Sequence, residues 1–242
     1  MALPEIITID GPAASGKSTI GRMVAETLGY LFFDTGIMYR AVTWLVLERG
    51  LDTTDIPRVA QLAEDINIDV REPTVDDGRI YDILVNGVDI TWNVRCPEVD
   101  ANVSQISTYP GVRTALTHQQ RRIGLRGSVV MVGRDIGTVV LPEAELKIFL
   151  DASMEERARR RFRERSARGE TVNFQEILRS MRNRDQIDST REVAPLRPAE
   201  DAVVLNTDLL SVEQVFNQIM ALLNKTGVST TVDKHGNHIN PL

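Results

Sequence analysis

Gly11 and Gly16 bracket four residues and are followed at once by Lys17 and Ser18. The stretch Gly11, Pro12, Ala13, Ala14, Ser15, Gly16, Lys17, Ser18 and Thr19 therefore has the G-x-x-x-x-G-K-[ST] spacing of a phosphate-binding loop. The two glycines let the backbone curl until successive N–H groups point inward at a phosphate. Lys17 sets a cation beside the outer phosphates of a nucleoside triphosphate, and the Ser18 hydroxyl can hold the accompanying Mg²⁺. A helix that begins here adds its positive N-terminal end. This loop binds a nucleoside triphosphate.

The flanking residues supply the elements that such a loop needs. Ile6 to Ile9 are apolar except for Thr8 and read as a short buried strand, while Ile20, Met23, Val24 and Leu28 recur at helical spacing. Tyr30 to Phe33 predicts a second strand, ending in Asp34-Thr35-Gly36. Ile37 to Glu48 reads as a helix closed by Gly50, and Asp55 to Ala63 as another, capped by Thr54 or Asp55 with Pro57 in its first turn. Strands are further expected at Ser128 to Val132, Leu146 to Leu150 and Ala202 to Leu205, the last leading into a helix capped by Ser211. Helices are expected from Glu98 and from Pro110 to Leu125. Strands alternating with helices imply an α/β fold with a five-stranded parallel sheet and right-handed crossovers.

Between Ile66 and Val94 the texture differs. Ile66, Ile68 and Val70 alternate with polar residues; Arg79 to Val85 reads as a strand, and Asn86-Gly87 as a hairpin turn into Val88 to Ile90. A small antiparallel sheet inserted into the parallel plan is expected. Asn224 to Leu242 is polar and aperiodic, and is expected to be a frayed tail.

The 242 residues can bury a full core, and their net charge of −6 argues against general affinity for nucleic acid. The single cysteine, Cys96, excludes an internal disulfide and suits a reducing compartment. Met1-Ala-Leu-Pro-Glu enters the first strand without a basic segment and apolar core region, and no apolar run approaches a membrane span. A cytoplasmic protein, monomeric and without membrane or nucleic-acid partners, is the expectation. One local exception to the acidic balance stands at Arg157 to Arg168, which holds seven arginines, one acid (Glu164) and no lysine. Such a run is either a solvated helix face or a segment that closes on phosphates. Forked, permanently charged guanidinium favours the second, since like charges so close repel unless anions arrive.

A phosphate loop alone fits GTPases, motors and kinases. A guanine-reading Asn-Lys-x-Asp motif is absent, because Asn224-Lys225 continues as Thr226-Gly227. Four further motifs are Asp34-Thr-Gly-Ile-Met-Tyr-Arg40, Gly133-Arg-Asp-Ile-Gly-Thr-Val-Val140, Lys147-Ile-Phe-Leu-Asp-Ala152 and Arg184-Asp-x-x-Asp-Ser-x-Arg191. With the loop they resemble bacterial cytidylate kinase, from about Ile6 to Leu222. The resemblance implies a P-loop kinase fold that transfers the γ-phosphoryl of ATP·Mg²⁺ to CMP or dCMP. It implies one domain: core 1–36, 98–151 and 192–223, an acceptor region with the β insert at 37–97, a helical lid at 152–191, and the tail 224–242. Arg40, Arg134 and Arg191 match the arginines that hold the acceptor phosphate and the transferring group. Ser104 and Arg113 match residues that read cytosine; Arg184 and Asp188 match the pair near the ribose, and Thr35 a small hydroxyl beside the acceptor. Lys17, Arg134, Arg184 and Arg191 are thus the expected catalytic set. Arg157 and Arg161, four apart on one helix face, are expected to meet adenine and the ATP phosphates. Ser18 and Asp34 are the expected metal ligands.

One departure has a consequence. The family usually has an acid, most often Asp, directly before Gly-Arg-Asp, where this chain has Val132. If that position faces the base, base selection loses an acceptor and CMP-over-UMP preference narrows. A broader pyrimidine kinase is therefore the rival within enzymes. A nucleotide-binding regulator that signals by lid closure is the rival outside them, disfavoured by the arginines of a complete acceptor site.

Overall fold

A computed structural model describes residues 3–225. In chain order the elements are β1 (Ile6–Asp10), α1 (Lys17–Leu28), β2 (Leu31–Asp34), α2 (Gly36–Glu48), α3 (Ile56–Asp65), β3 (Ile68–Arg71), β4 (Asp82–Val85) and β5 (Val88–Asp89). After a 3-10 turn at Asn93–Arg95 come α4 (Pro97–Ile106), α5 (Pro110–Gly124), β6 (Val129–Gly133), a wide helical turn at Ile136–Val140 and β7 (Leu146–Asp151). The chain closes with α6 (Met154–Ala167), α7 (Phe174–Thr190), β8 (Val203–Asn206) and α8 (Val212–Lys225).

Five strands form one parallel sheet in the order β2-β6-β1-β7-β8. β1 and β6 are buried along their whole length, as parallel strands covered on both faces must be, which explains their continuous apolar runs. The register places Asp10 beside Gly133 on one side and Phe149 on the other. The loop leaving β1 and the segment leaving β6 therefore emerge together at the carboxyl edge of the sheet. Successive connections also depart to opposite sides here, the arrangement that opens a ligand crevice in α/β sheets.

β3, β4 and β5 form the expected antiparallel insert. Asn86 adopts φ 50° and Gly87 φ 83°, the left-handed pair that a two-residue hairpin requires. β4 is shorter than the Arg79-to-Val85 run suggests. Arg79 instead turns its guanidinium onto Asp77, Asp82 and Asp89, at 2.8, 2.9 and 2.6 Å, and this knot replaces strand pairing. Asp55 caps α3 by accepting from Arg58 N–H, and Ser211 caps α8 by accepting from Gln214 N–H. α8 reaches Lys225, two residues into the expected tail; the rest of that expectation falls outside the described residues. α6 and α7 pack on each other through a small apolar cluster of their own, Ala158, Ile177, Leu178 and Met181, which also takes in Ala13 of the loop. No helix among the described residues is long and apolar enough to cross a membrane.

Candidate active site

The loop between β1 and α1 is built as its residue types require. Gly11 adopts φ +148°, and a Cβ there would lie 2.1 Å from the Leu150 carbonyl, so only glycine fits. Lys17 is the first residue of α1 and is buried; its Nζ donates to the Pro12 carbonyl at 2.6 Å and the Ser15 hydroxyl at 3.4 Å. Burial, then the nearby Arg134 guanidinium, holds the Lys17 ammonium well below its usual pKa. A polyanion arriving in the loop would relieve that stress. The Ser18 hydroxyl donates to Asp34 Oδ2 at 2.7 Å, while Asp34 Oδ1 accepts from Gly36 N–H at 3.0 Å. Thr35 ties the end of β2 to β6, its hydroxyl and its N–H both donating to the Val132 carbonyl at 3.0 Å.

Beside the loop opens a cavity of about 370 Å³, a volume typical of small-ligand sites. Seven cations line it: Lys17, Arg40, Arg113, Arg134, Arg161, Arg184 and Arg191, against three carboxylates, Asp34, Asp135 and Asp188. The arginines come from α2, α5, the segment after β6, α6 and α7. Ion pairs hold several of them in place. Asp135 binds Arg113 at 2.9 Å and Arg191 at 3.2 Å; Asp188 binds Arg134 at 3.0 Å and Arg191 at 3.3 Å. Arg40 donates to the Val94 carbonyl at 2.9 Å and to Asp100 at 2.5 Å. Arg113 also lies over the Tyr39 ring, 5.6 Å from its centroid. Partial desolvation in the cleft lowers the pKa of both Arg184 and Arg191, and the neighbouring Arg134 and Arg113, respectively, add to it. A low-dielectric cleft with this cation excess focuses a positive field and suits two phosphate groups meeting head-on.

Most expected residues converge here. Lys17, Ser18, Asp34, Thr35, Arg40, Arg113, Arg134, Arg161, Arg184, Asp188 and Arg191 all line this one cavity. Ser104 does not. It is exposed on α4, while Val103 and Ser107, four apart and hence on one helix face, turn toward the cleft. Arg157 departs too. Its buried guanidinium donates to the carbonyls of Ala152 (2.9 Å) and Ala13 (3.2 Å) and to Asp185 (2.5 Å), so it stitches α6 and α7 to the loop. Arg161 lines the cleft and pairs with Glu164 at 2.9 Å. Elsewhere in the run Arg165 pairs with Glu170 and Arg168 with Glu164, so part of it is ordinary solvated helix face.

Val132 overturns the expectation attached to it. Its side chain is buried and packs on α1, where a Cβ on Gly21 would come within 2.6 Å of it. Position 132 faces the helix, on the same side of β6 as Val130, and does not reach the cleft. The acid that does is Asp135, three residues on.

Several residues were missed. Asp135 stood inside a motif already singled out. Asp10, the one acid in an apolar strand, signalled itself by composition. Arg160 donates to the Thr207 carbonyl (2.5 Å), the Thr207 hydroxyl (3.0 Å) and the Ser15 carbonyl (3.4 Å). With Gly16, Thr19, Val212 and Val215 it lines a second cavity, about 460 Å³, on the other flank of the loop. That flank has the mixed apolar and polar lining that a nucleobase needs. No group of three or more His, Cys, Asp or Glu among the described residues could hold a metal alone. The Ser18–Asp34 oxygen pair suits Mg²⁺, which favours a few hard protein oxygens plus phosphates and water.

The cytidylate kinase family model matches residues 7–225. A cytidylate kinase of Herpetosiphon aurantiacus is 48% identical over 92% of this chain and 96% of its own. Another, from Roseiflexus castenholzii, is 51% identical over 91% of this chain and 94% of its own. A third, from Carboxydothermus hydrogenoformans, is 47% identical over 90% and 97% respectively.

Proposed function

This chain belongs to the cytidylate kinase family, and from that premise we propose that it moves the γ-phosphoryl of ATP onto CMP or dCMP, releasing ADP and the nucleoside diphosphate. The observation that carries the reading is the convergence of Lys17 and six arginines on one cavity at the mouth of the phosphate loop. A regulator that only bound ATP would have no use for the half of that set which faces away from the loop.

The acceptor is already a phosphate, largely dianionic at neutral pH, so no general base is needed. What remains is charge neutralisation, alignment and exclusion of water. Lys17 and the loop N–H groups hold the donor phosphates. Arg40, Arg134 and Arg191 take the acceptor phosphate and the group in flight; Arg184 and Asp188 orient the ribose. Arg113 and Asp135 present donor and acceptor side by side at the buried end, a match for the carbonyl and amino groups of cytosine. The adenosine lies toward Arg160 and Val212. Ser18 and Asp34 hold the Mg²⁺ that enters with ATP; when bound, it neutralises phosphate charge. Segment 152–191 serves as the lid, Arg161 swinging toward the phosphates while Arg157 stays fixed as its anchor. Segment 37–97 serves as the acceptor region around the core.

The test is an acceptor panel: ATP·Mg²⁺ with CMP, dCMP, UMP, AMP and GMP, following ADP release. CMP and dCMP should lead. Equal rates with UMP would favour the broader pyrimidine kinase, and ADP release independent of acceptor would overturn the reading.

A further inference from the structure

Asp10 ends β1, is buried, and is not among the residues that line the cleft. Its Oδ1 accepts from the Ile136 N–H at 2.9 Å and its Oδ2 from the Gly137 N–H at 2.7 Å. Those N–H groups open the Ile136–Val140 turn, and the first donors of a helical turn have no partner inside it. Immediately before the turn stand Arg134 and Asp135, both in the cleft; immediately after Asp10 stands Gly11, where the phosphate loop begins. One carboxylate thus joins the root of the donor-phosphate loop to the segment presenting two cleft residues.

The residue type fits this task narrowly. Two donors need two acceptors, which a carboxylate offers; an amide offers one acceptor and one donor, and alanine none. Packing alone would favour an apolar residue here, as in the rest of the strand. Burial pushes the Asp10 carboxyl up to about 6 although both N–H bonds oppose it. Two charged groups face it, Asp135 from the turn, which raises it further, and Lys17 from α1, which lowers it.

We propose that Asp10 is a positioning residue for phosphoryl transfer: its carboxylate fixes the Arg134–Gly137 turn against the phosphate loop, so that Arg134 stands where the transferring group passes. The inference rests on the transfer reading above and extends it to a side chain that touches neither substrate. Protonation turns one acceptor oxygen into a donor and loosens the turn.

The full-length wild type and Asp10→Asn are compared for ADP formation with CMP between about pH 5 and about pH 8, using kcat because it reports the loaded enzyme rather than free substrate. Asp10→Asn should melt cooperatively, lose about tenfold or more in kcat at the alkaline end, and change either KM less than that. Wild-type kcat should fall below about pH 6, and that acid limb should be missing from the variant. Wild-type kcat in Asp10→Asn, or a limb it retains, overturns the proposal. If the variant does not fold, the wild type decides: the Ile136 and Gly137 amide resonances should titrate together with kcat, and amides that do not move overturn it. A wild type inactive on CMP would instead sink the transfer reading, leaving those amides to judge the Asp10 clamp alone.

Discussion

The Ser18 hydroxyl and Asp34 Oδ2 lie 2.7 Å apart, joining the first turn of α1 to the end of β2. Their contact puts a hydroxyl from the helix that follows β1 beside a carboxylate from β2, a strand that is not β1's sheet neighbour, at the mouth of the phosphate loop. Both are hard oxygen donors of the kind Mg²⁺ prefers, and no group of three or more His, Cys, Asp or Glu among the described residues could hold a metal by itself.

Asp34→Asn should therefore raise the Mg²⁺ concentration needed for half-maximal rate and lower kcat by about tenfold or more. The amide oxygen can still accept from Gly36 N–H, so the fold should hold. An unchanged Mg²⁺ dependence would remove Asp34 from the metal shell.

Arg157 and Arg161 should separate cleanly. Removing a buried partner strands the other charge, so Arg157→Ala, which leaves Asp185 unpaired, should destabilise the fold by about 3–5 kcal/mol. Arg161→Ala should leave the melting temperature almost unchanged and act on kcat. Hydrogen exchange over residues 152–190 should show protection rising with a bisubstrate analogue around Arg161 and little change around Arg157. The reverse pattern would mean that Arg157 is the moving group.

Base selection should depend on Asp135 and not on Val132. Asp135→Asn should narrow the CMP-over-UMP ratio in kcat/KM by about 1–3 kcal/mol, the cost of an unmade buried hydrogen bond. Val132→Ile, which keeps the apolar contact with α1, should leave that ratio where it was. A ratio that follows position 132 would contradict the placement of its side chain.

The pH dependence of stability offers an independent check on Asp10. Its folded pKa, about 6, lies above the ordinary 3.8, so the folded state binds the proton more tightly than the unfolded chain. Stability from this group is complete below the ordinary value and is lost as pH rises through the folded one, by about 3 kcal/mol. The melting temperature of wild type relative to Asp10→Asn should fall between about pH 4 and about pH 7. A constant difference would mean that the carboxylate is not desolvated.

What the sequence made legible was whatever it encodes locally. Ile6 to Ile9 and Ser128 to Val132 read as buried strands because parallel strands are apolar throughout, and the loop spacing identified its chemistry outright. Arg79 misled because its pairing with Asp77, Asp82 and Asp89, carboxylates on both sides of it, outweighed its strand pattern. Ser104 and Val132 misled for a directional reason: Ser104 is one residue past Val103, which faces the cleft, and Val132 turns onto α1 two residues before Arg134 enters the cleft. Position in a motif fixed their neighbourhood, but not their direction. Arg157 and Arg161 share a helix face, yet Arg157 is tied down by the carbonyls of Ala152 and Ala13 and by Asp185, while Arg161 is left lining the cleft. Asp10 and Asp135 depend on contacts more than twenty residues away in the chain, which no local pattern carries.

Phosphoryl transfer from ATP to a cytidine monophosphate in this cleft should depend above all on Lys17, the buried cation at the donor phosphates. The most direct measurement is CMP-dependent ADP release by wild type and Lys17→Ala, side by side, with melting curves for both. Wild type should release ADP rapidly and only with CMP present, and folded Lys17→Ala should be slower by about a hundredfold or more. No CMP-dependent release by wild type, or near-normal turnover by folded Lys17→Ala, would contradict the transfer reading.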